Sequence, residues 1–278
     1  MRLKTAGTPR SPAALVSFDV DGTLVASTGD QSNKLHKRAF SHAIRAVAGI
    51  ETGIDVVRHA GGTDPLILKA VLEHHGVPGD AAMALLPELQ REMVEFARAQ
   101  PPGDAAAGIG VLPGVRESLA ALSGAPGRVL VCLVTGNFEP IAWLKVGAVG
   151  LGPYFAAPRF GGFGSDHCGG DTAEMWRDRA VLVRVAREKA GAVCAELGLP
   201  PVARAVHVGD TPADVRAAVE GGAVAVGVCT GVFGRGDLEA CLVGQPPGAG
   251  HVVLDDMGGL LGALAGMGVD LGAQGGGC

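Results

Sequence analysis

The 278-residue chain carries 23 Lys and Arg against 28 Asp and Glu, a formal net charge of −5, with no basic cluster, which argues against nucleic-acid or acidic-membrane partners. Apolar residues make up 47% and charged residues 18%, enough for a sizeable core in one large domain or a domain carrying a smaller insert. The 45 glycines and 17 prolines fall just short of the roughly 25–30% that marks low complexity, so the expectation is a folded but loop-rich protein.

Residues 1–14 hold Arg2, Lys4 and Arg10 and no acid, yet lack the apolar stretch of a signal peptide. Six cysteines show no CxxC spacing, and several lie inside apolar runs, where Cys behaves as a small hydrophobe. A soluble cytoplasmic protein is expected, with an organellar address as the alternative and no membrane partner.

The run from Leu15 to Leu24 reads as a strand that stops at two carboxylates and a glycine. Alternate side chains of an extended chain point the same way, so Asp19 and Asp21 face one pocket while Phe18 and Val20 face packed layers. Two like charges that close need a cation, a shared proton or separate tasks. A Mg²⁺ ion with division of labour meets the need: Asp19 as nucleophile and metal ligand, Asp21 as acid/base through its side chain and metal ligand through its carbonyl. A strand ending in an Asx turn at Asp-Gly is the plain alternative.

After Thr23 the period becomes helical. Gln31 to Ala48 is amphipathic; Gly61 to Pro65 opens a second helix with Gly76 as its stop; a third runs from about Asp80 to Ala99. The Pro- and Gly-rich tract from Pro101 to Gly114 reads as a hinge. From there strands and helices alternate as in a parallel sheet covered by helices. A helix over Val115 to Leu122 precedes a strand over Val129 to Val134, and a helix over Glu139 to Val149 follows. Tyr154 to Asp178 is irregular and leads into a helix from about Ala180 to Leu197. A strand over Ala205 to Val208, a helix over Ala213 to Glu220, and strands over Ala223 to Cys229 and His251 to Leu254 come next. The tract from Met257 to Val269 is glycine-broken and shorter than the ~20 residues of a bilayer span, and reads as a terminal core helix. The expected organisation is an α/β core at 12–27 and 107–268, a three-layer Rossmann-like parallel sheet. A helical cap is inserted at 28–106, and a disordered Gly-rich tail follows at 269–278.

Three strands end in polar, small-residue loops: Asp19 to Thr23, Thr135 to Asn137 and Gly209 to Asp214. In an open parallel sheet such ends line one crevice. Thr135 offers a hydroxyl, and the N–H groups of Gly136 and Asn137 open a helix, where an anion such as phosphate is favoured; an ordinary helix cap explains them equally. Thr211 and Asp214 form a T-x-x-D capping box. That leaves Asp210, a second carboxylate at a buried strand end, which a cation shared with Asp19 would satisfy; Asp214 is divided between that site and the cap. His36, Arg58, Thr63 and Asp64 of the insert are possible substrate contacts. His167, Cys168, Asp171 and His207 fit no tetrahedral metal spacing.

Asp19-Val20-Asp21-Gly22-Thr23, Thr135-Gly136-Asn137 and Gly209-Asp210-Thr211-Pro212-Ala213-Asp214 resemble motifs of the haloacid dehalogenase superfamily of Mg²⁺-dependent phosphotransferases. The resemblance spans about Ala14 to Leu254. The helical insertion looks like the C1 cap, and Leu133 to Asn137 with Gly62-Thr63-Asp64 is similar to phosphoglycolate phosphatase-like members. The resemblance implies an aspartyl-phosphate on Asp19, proton transfer by Asp21, and Mg²⁺ held by Asp19, Asp21 and Asp210. It also implies a small phosphorylated metabolite, such as phosphoglycolate or a sugar phosphate, bound by Thr135, Gly136, Asn137 and Thr63. Superfamily dehalogenases lack the second aspartate, so Asp21 favours phosphoryl transfer. The sequence departs from the pattern at the third motif, where a Lys before a proline-containing run is absent; the candidates are Arg177, Arg179, Arg184 and Lys189, after an apparent insertion at Gly169 to Glu174. Arg179 stands at about the expected distance from its helix face and is the choice. A phosphomutase of the same fold and a non-catalytic metabolite-binding protein are the alternatives.

Overall fold

The computed structural model describes residues 13–28, 34–125, 128–155, 158–269 and 271. A six-stranded parallel sheet runs through it, in the order β5-β4-β1-β6-β7-β8. The strands are β1 (Ala13–Phe18), β4 (Val129–Thr135), β5 (Gly161–Phe163), β6 (Val202–Gly209), β7 (Val224–Val228) and β8 (Val252–Leu254). Period-two alternation sorts β1 between two cores. Ala14, Val16 and Phe18 pack in one cluster with Val115, Leu119 and Leu122 of α4 (Val115–Ser123) and Leu260 and Leu264 of α9 (Leu260–Gly266). Leu15 packs in the other, with α6 (Trp176–Leu197) and α7 (Pro212–Glu220). The same alternation carries Asp19 toward α6 and α7.

The helical insert enters on β2 (Val25–Ser27) and leaves on β3 (Ile109–Val111), which pair antiparallel as a two-stranded ribbon. Between them α1 (Lys34–Ala48), α2 (Asp64–His74) and α3 (Gly79–Ala99) bury a cluster of their own that includes Phe40, Leu68, Leu89 and Met93. Phe138 and Ile141, at the start of α5 (Glu139–Ala148), join that cluster and tie the insert to the sheet layer.

Three strands and one α-helix are absent from the sequence reading. β2 and β3 are three residues each, too short for periodicity to register, and α8 (Arg235–Ala240) is a six-residue helix in which three of the residues are charged. β5 lies inside the segment read as irregular because two of its three residues are glycine. α6 begins at Trp176, four residues before the expected start, which places Arg179 inside the helix. Val269 of the expected tail is buried in the main core; residues 270 and 272–278 lie outside the described residues.

Candidate active site

β4, β1 and β6 are neighbours in the sheet, so the loops after Phe18, Thr135 and Gly209 meet at one edge. Asp19, Asp210 and Asp214 offer oxygens all within 4.8 Å of one another, and all three are buried. This is the one group with metal-ligand spacing among the described residues. Arg179 of α6, 4% exposed, places Nη1 3.1 Å from Asp19 Oδ1 and also pairs with Asp214 Oδ1. The other cations proposed for this role turn elsewhere: Arg177 to Glu174, Arg184 to the Glu220 carbonyl, Lys189 to Asp166.

Asp214 serves both the helix and the cluster. Its Oδ2 accepts from Thr211 N–H at 3.0 Å and Thr211 Oγ at 2.6 Å, completing the capping box, while Oδ1 faces Arg179. His207 Nε2 lies 3.5 Å from the same Oδ1, and its Nδ1 lies 3.1 Å from Ser17 Oγ. His167 and Cys168 have other partners: His167 pairs with Asp178, and Cys168 meets Met83.

Burial pushes the Asp19 carboxyl up to about 6 despite Arg179, with Asp214 and Asp21 adding repulsion. Asp210 is raised well above the ordinary range by burial and then by Asp214 and Asp19. Burial also works against Asp214, but Arg179, His207 and Thr211 outweigh it and hold that carboxyl below the ordinary range. Arg179 is raised, since Asp214, Asp19 and Asp210 more than offset its own burial. With all three carboxylates ionised, one guanidinium leaves an excess of two negative charges, which protons or a cation must offset. The donor set is all oxygen, as a hard divalent cation requires. Two glycines keep the space beside it: a Cβ at Gly22, whose φ is +84°, would come within 2.2 Å of Asp210 Oδ2, and one at Gly231 within 1.8 Å. The residues present therefore fit such a cation.

Asp21 lies outside this cluster by its side chain. Its Oδ2 accepts from Lys145 Nζ at 2.7 Å and from Asn137 Nδ2 at 3.1 Å. Burial raises this carboxyl, but Lys145, which both attracts it and hydrogen-bonds to it, and Asn137 prevail and lower it. Lys145 is missed by the sequence reading. Its signal is its position on α5, four residues after Ile141 and three after Ala142, both buried; a lysine on an apolar stripe must find a buried partner.

Asp19, Asp21, Asp210, Arg179 and Asn137 line a cavity of about 500 Å³, together with Phe40, Ile54 and Ile67 of the insert. Thr135, Gly136 and Thr63 are not among its walls. Thr135 is fully buried and its Oγ1 accepts from Asn137 Nδ2 at 3.3 Å. A Cβ at Gly136 would meet the Gly62 carbonyl at 2.2 Å, so the insert crosses this loop in backbone contact. Thr63 begins α2 without a side-chain cap and its buried Oγ1 has no hydrogen-bond partner. Arg179 Nε and Asn137 Oδ1, of two residues that line the cavity, are likewise buried and unpartnered. Of the insert residues read as possible substrate contacts, His36 and Asp64 line the cavity and Arg58 does not. No helix among the described residues is long and apolar enough to cross a membrane.

A family model described as haloacid dehalogenase-like hydrolase matches residues 13–222. A search of curated proteins finds no match. Among solved structures, a hydrolase from Pseudomonas syringae aligns with a TM-score of 0.56 at 22% identity, over 92% of this chain and 99% of its own. CbbY from Rhodobacter sphaeroides in complex with phosphate aligns at 0.53 and 20% identity, over 91% and 99%. A predicted phosphoglycolate phosphatase from Haemophilus somnus 129PT aligns at 0.52 and 17% identity, over 91% and 98%. At these identities the likeness is one of fold.

Proposed function

Because the chain belongs to the haloacid dehalogenase-like hydrolases, we propose that it is a Mg²⁺-dependent phosphatase acting on a small phosphomonoester through an aspartyl-phosphate on Asp19. The observation that carries this reading is the buried group of Asp19, Asp210 and Asp214 with Arg179 3.1 Å from Asp19. Mg²⁺ would be held by Asp19, Asp210, the Asp21 carbonyl and, directly or through water, Asp214; when bound it supplies charge neutralisation for the transferring group. The substrate is a small phosphorylated metabolite of the phosphoglycolate or sugar phosphate type, for which the cavity of about 500 Å³ has room.

The chain's own residues divide the work. An Asp19 oxygen attacks phosphorus as the ester P–O bond breaks, and Asp21 gives its proton to the departing alkoxide. Arg179 faces Asp19 through Nη1 and would place its fixed positive charge beside the transferring phosphoryl group. Asp21, now a carboxylate, takes a proton from water, which attacks phosphorus, breaks the bond to Asp19 and releases inorganic phosphate. Asp21 is ionised while Lys145 grips it; the incoming phosphate's negative charge favours its protonated form. The insert, cap-like, covers the cavity and excludes bulk water.

The test is phosphate release across a panel of phosphorylated metabolites with Mg²⁺ and with EDTA. Activity unchanged by EDTA would sink the metal assignment, and metabolite binding with no turnover anywhere on the panel would favour a binding protein.

Two outcomes follow from the crowded carboxylates. Mg²⁺ is expected to raise the melting temperature at pH 7.5 and to do so progressively less toward pH 5. A carboxyl whose folded pKa is raised binds its proton more tightly in the fold, so the metal-free protein loses stability as pH climbs from about 4 through 6, and protons displace the cation below that. Melting curves with Mg²⁺ or EDTA at several pH values check this. Separately, Gly231→Ala pushes a methyl group onto Asp210. It is expected to move the Mg²⁺ midpoint of thermal stabilisation upward by about tenfold or more, the scale on which groups next to metal ligands act.

A further inference from the structure

A buried chain of polar side chains joins the insert to Asp21. Lys145, 4% exposed, lies with Nζ 2.7 Å from Asp21 Oδ2 and 3.0 Å from His36 Nδ1. An ammonium only donates, so Nδ1 accepts and His36 carries its proton on Nε2. That N–H points to Asp64 Oδ2 at 3.2 Å. The same Asp64 oxygen accepts the Phe138 backbone N–H at 2.8 Å, at the start of the helix that bears Lys145. His36 and Asp64 are 8% and 2% exposed. The loop is closed: α1 and the start of α2 in the insert hold Lys145 of α5, and Lys145 holds Asp21 after β1.

We propose that Lys145 is a positioning residue for Asp21, held in place by His36 and Asp64, so that the proton donor to the leaving group is aimed only when the insert is docked on the core. This rests on the acid/base role proposed for Asp21. Stability alone gives no reason for a lysine here, since a methionine would fill the same stem volume among Ile141, Ala142 and Val146 without the cost of burying a charge. Lys145 and Asn137 grip one and the same oxygen of Asp21 from two sides, which restricts the rotation of the carboxyl. Neither Lys145 nor His36 touches Asp19, Asp210 or Arg179 in any hydrogen bond or ion pair among the described residues, so the network acts on proton transfer and not on phosphate binding.

The reaction itself discriminates. An alkyl phosphate needs its leaving oxygen protonated, whereas p-nitrophenyl phosphate leaves as a stable phenolate without help. Lys145→Met is expected to lower kcat/KM for an alkyl phosphate such as glycerol phosphate by about 10²-fold, the scale of a mislaid general acid, and for p-nitrophenyl phosphate by less than about threefold. Asp21→Asn should show the same contrast, and the double variant should be no worse than Asp21→Asn. Lys145→Arg should recover part of the loss, and His36→Leu, which leaves Lys145 in place but removes its holder, should show a weaker version of the same contrast. Equal losses on the two substrates, a loss confined to KM, or an additive loss in the Asp21→Asn background would overturn the proposal. Should Lys145→Met not fold, Lys145→Arg and His36→Leu carry the same test. If Asp19→Asn leaves activity intact, the phosphatase mechanism fails as a whole. If Asp21→Asn shows the contrast and the Lys145 and His36 variants do not, only the positioning role fails.

Discussion

Asp19→Asn is expected to abolish phosphate release, by at least about 10³-fold in kcat, while leaving the fold intact. The substitution keeps the shape of the side chain and removes the nucleophile, and losing a group that forms a covalent intermediate costs far more than losing a neighbour. Its effect on stability should have the opposite sign from most buried substitutions. Burial together with Asp214 and Asp21 outweighs Arg179 and favours the neutral form of Asp19, so a neutral amide relieves repulsion in the metal-free chain above about pH 6. The variant should therefore melt no lower than the parent in EDTA, and it should gain less from Mg²⁺ because one anionic ligand is gone. Kinetics and melting curves on the same samples check both halves. Residual turnover within about tenfold of the parent would exclude a phosphoenzyme on Asp19.

The strand ends were legible because each is an apolar run stopped by a group that a core rejects: Asp19 after Phe18, Thr135 after Val134, Asp210 after Gly209. Their meeting at one edge follows from parallel order, which alternation of strand and helix already implies. β5 was hidden by the contacts that make it. A Cβ at Gly161 would meet the Leu133 carbonyl at 2.2 Å, and one at Gly162 the Leu182 carbonyl at 2.0 Å. Only glycine fits between β4 and α6, and glycine is what makes a segment read as loop. The Asp214 ambiguity had no resolution in sequence, because one carboxylate uses its two oxygens for the two purposes that were weighed against each other. Lys145 and the His36–Asp64 pair were not legible as a unit. His36 and Asp64 are 28 residues apart and Lys145 a further 81 beyond Asp64, and nothing in the local pattern of one predicts the others. What the pattern did hold was a lysine on a buried helix face, a local inconsistency of the kind that marks a working site.

Arg179→Met should cost both activity and stability, and the stability loss should depend on Mg²⁺. Arg179 is the only cation paired with Asp19 and Asp214 among the described residues, apart from what His207 gives to Asp214. Removing one partner of a buried ion pair leaves the other charges uncompensated, at about 3–5 kcal/mol. Turnover should fall about 10²- to 10³-fold, the cost of losing one fixed donor to the transferring group. Because Arg179 is the leading influence that holds the Asp214 carboxyl below its ordinary range, its stabilising effect is present above the unfolded carboxylate pKa and disappears as pH falls through the folded one. The deficit of Arg179→Met is therefore full at pH 7 and shrinks as pH falls below about 4, closing only once the depressed Asp214 carboxyl of the parent also takes up its proton. A bound divalent cation supplies part of the missing positive charge, so the deficit at pH 7 should be larger in EDTA than in Mg²⁺. Arg179→Lys keeps the charge but loses the planar fork that reaches Asp19 and Asp214 together, and should regain stability more fully than turnover. Denaturant melts of the three proteins with and without Mg²⁺ at pH 4 and pH 7, beside kcat on one substrate, separate these outcomes. A variant as stable as the parent in EDTA at pH 7 would mean that Arg179 offsets no buried carboxylate charge, and the charge argument for a divalent cation would fall with it.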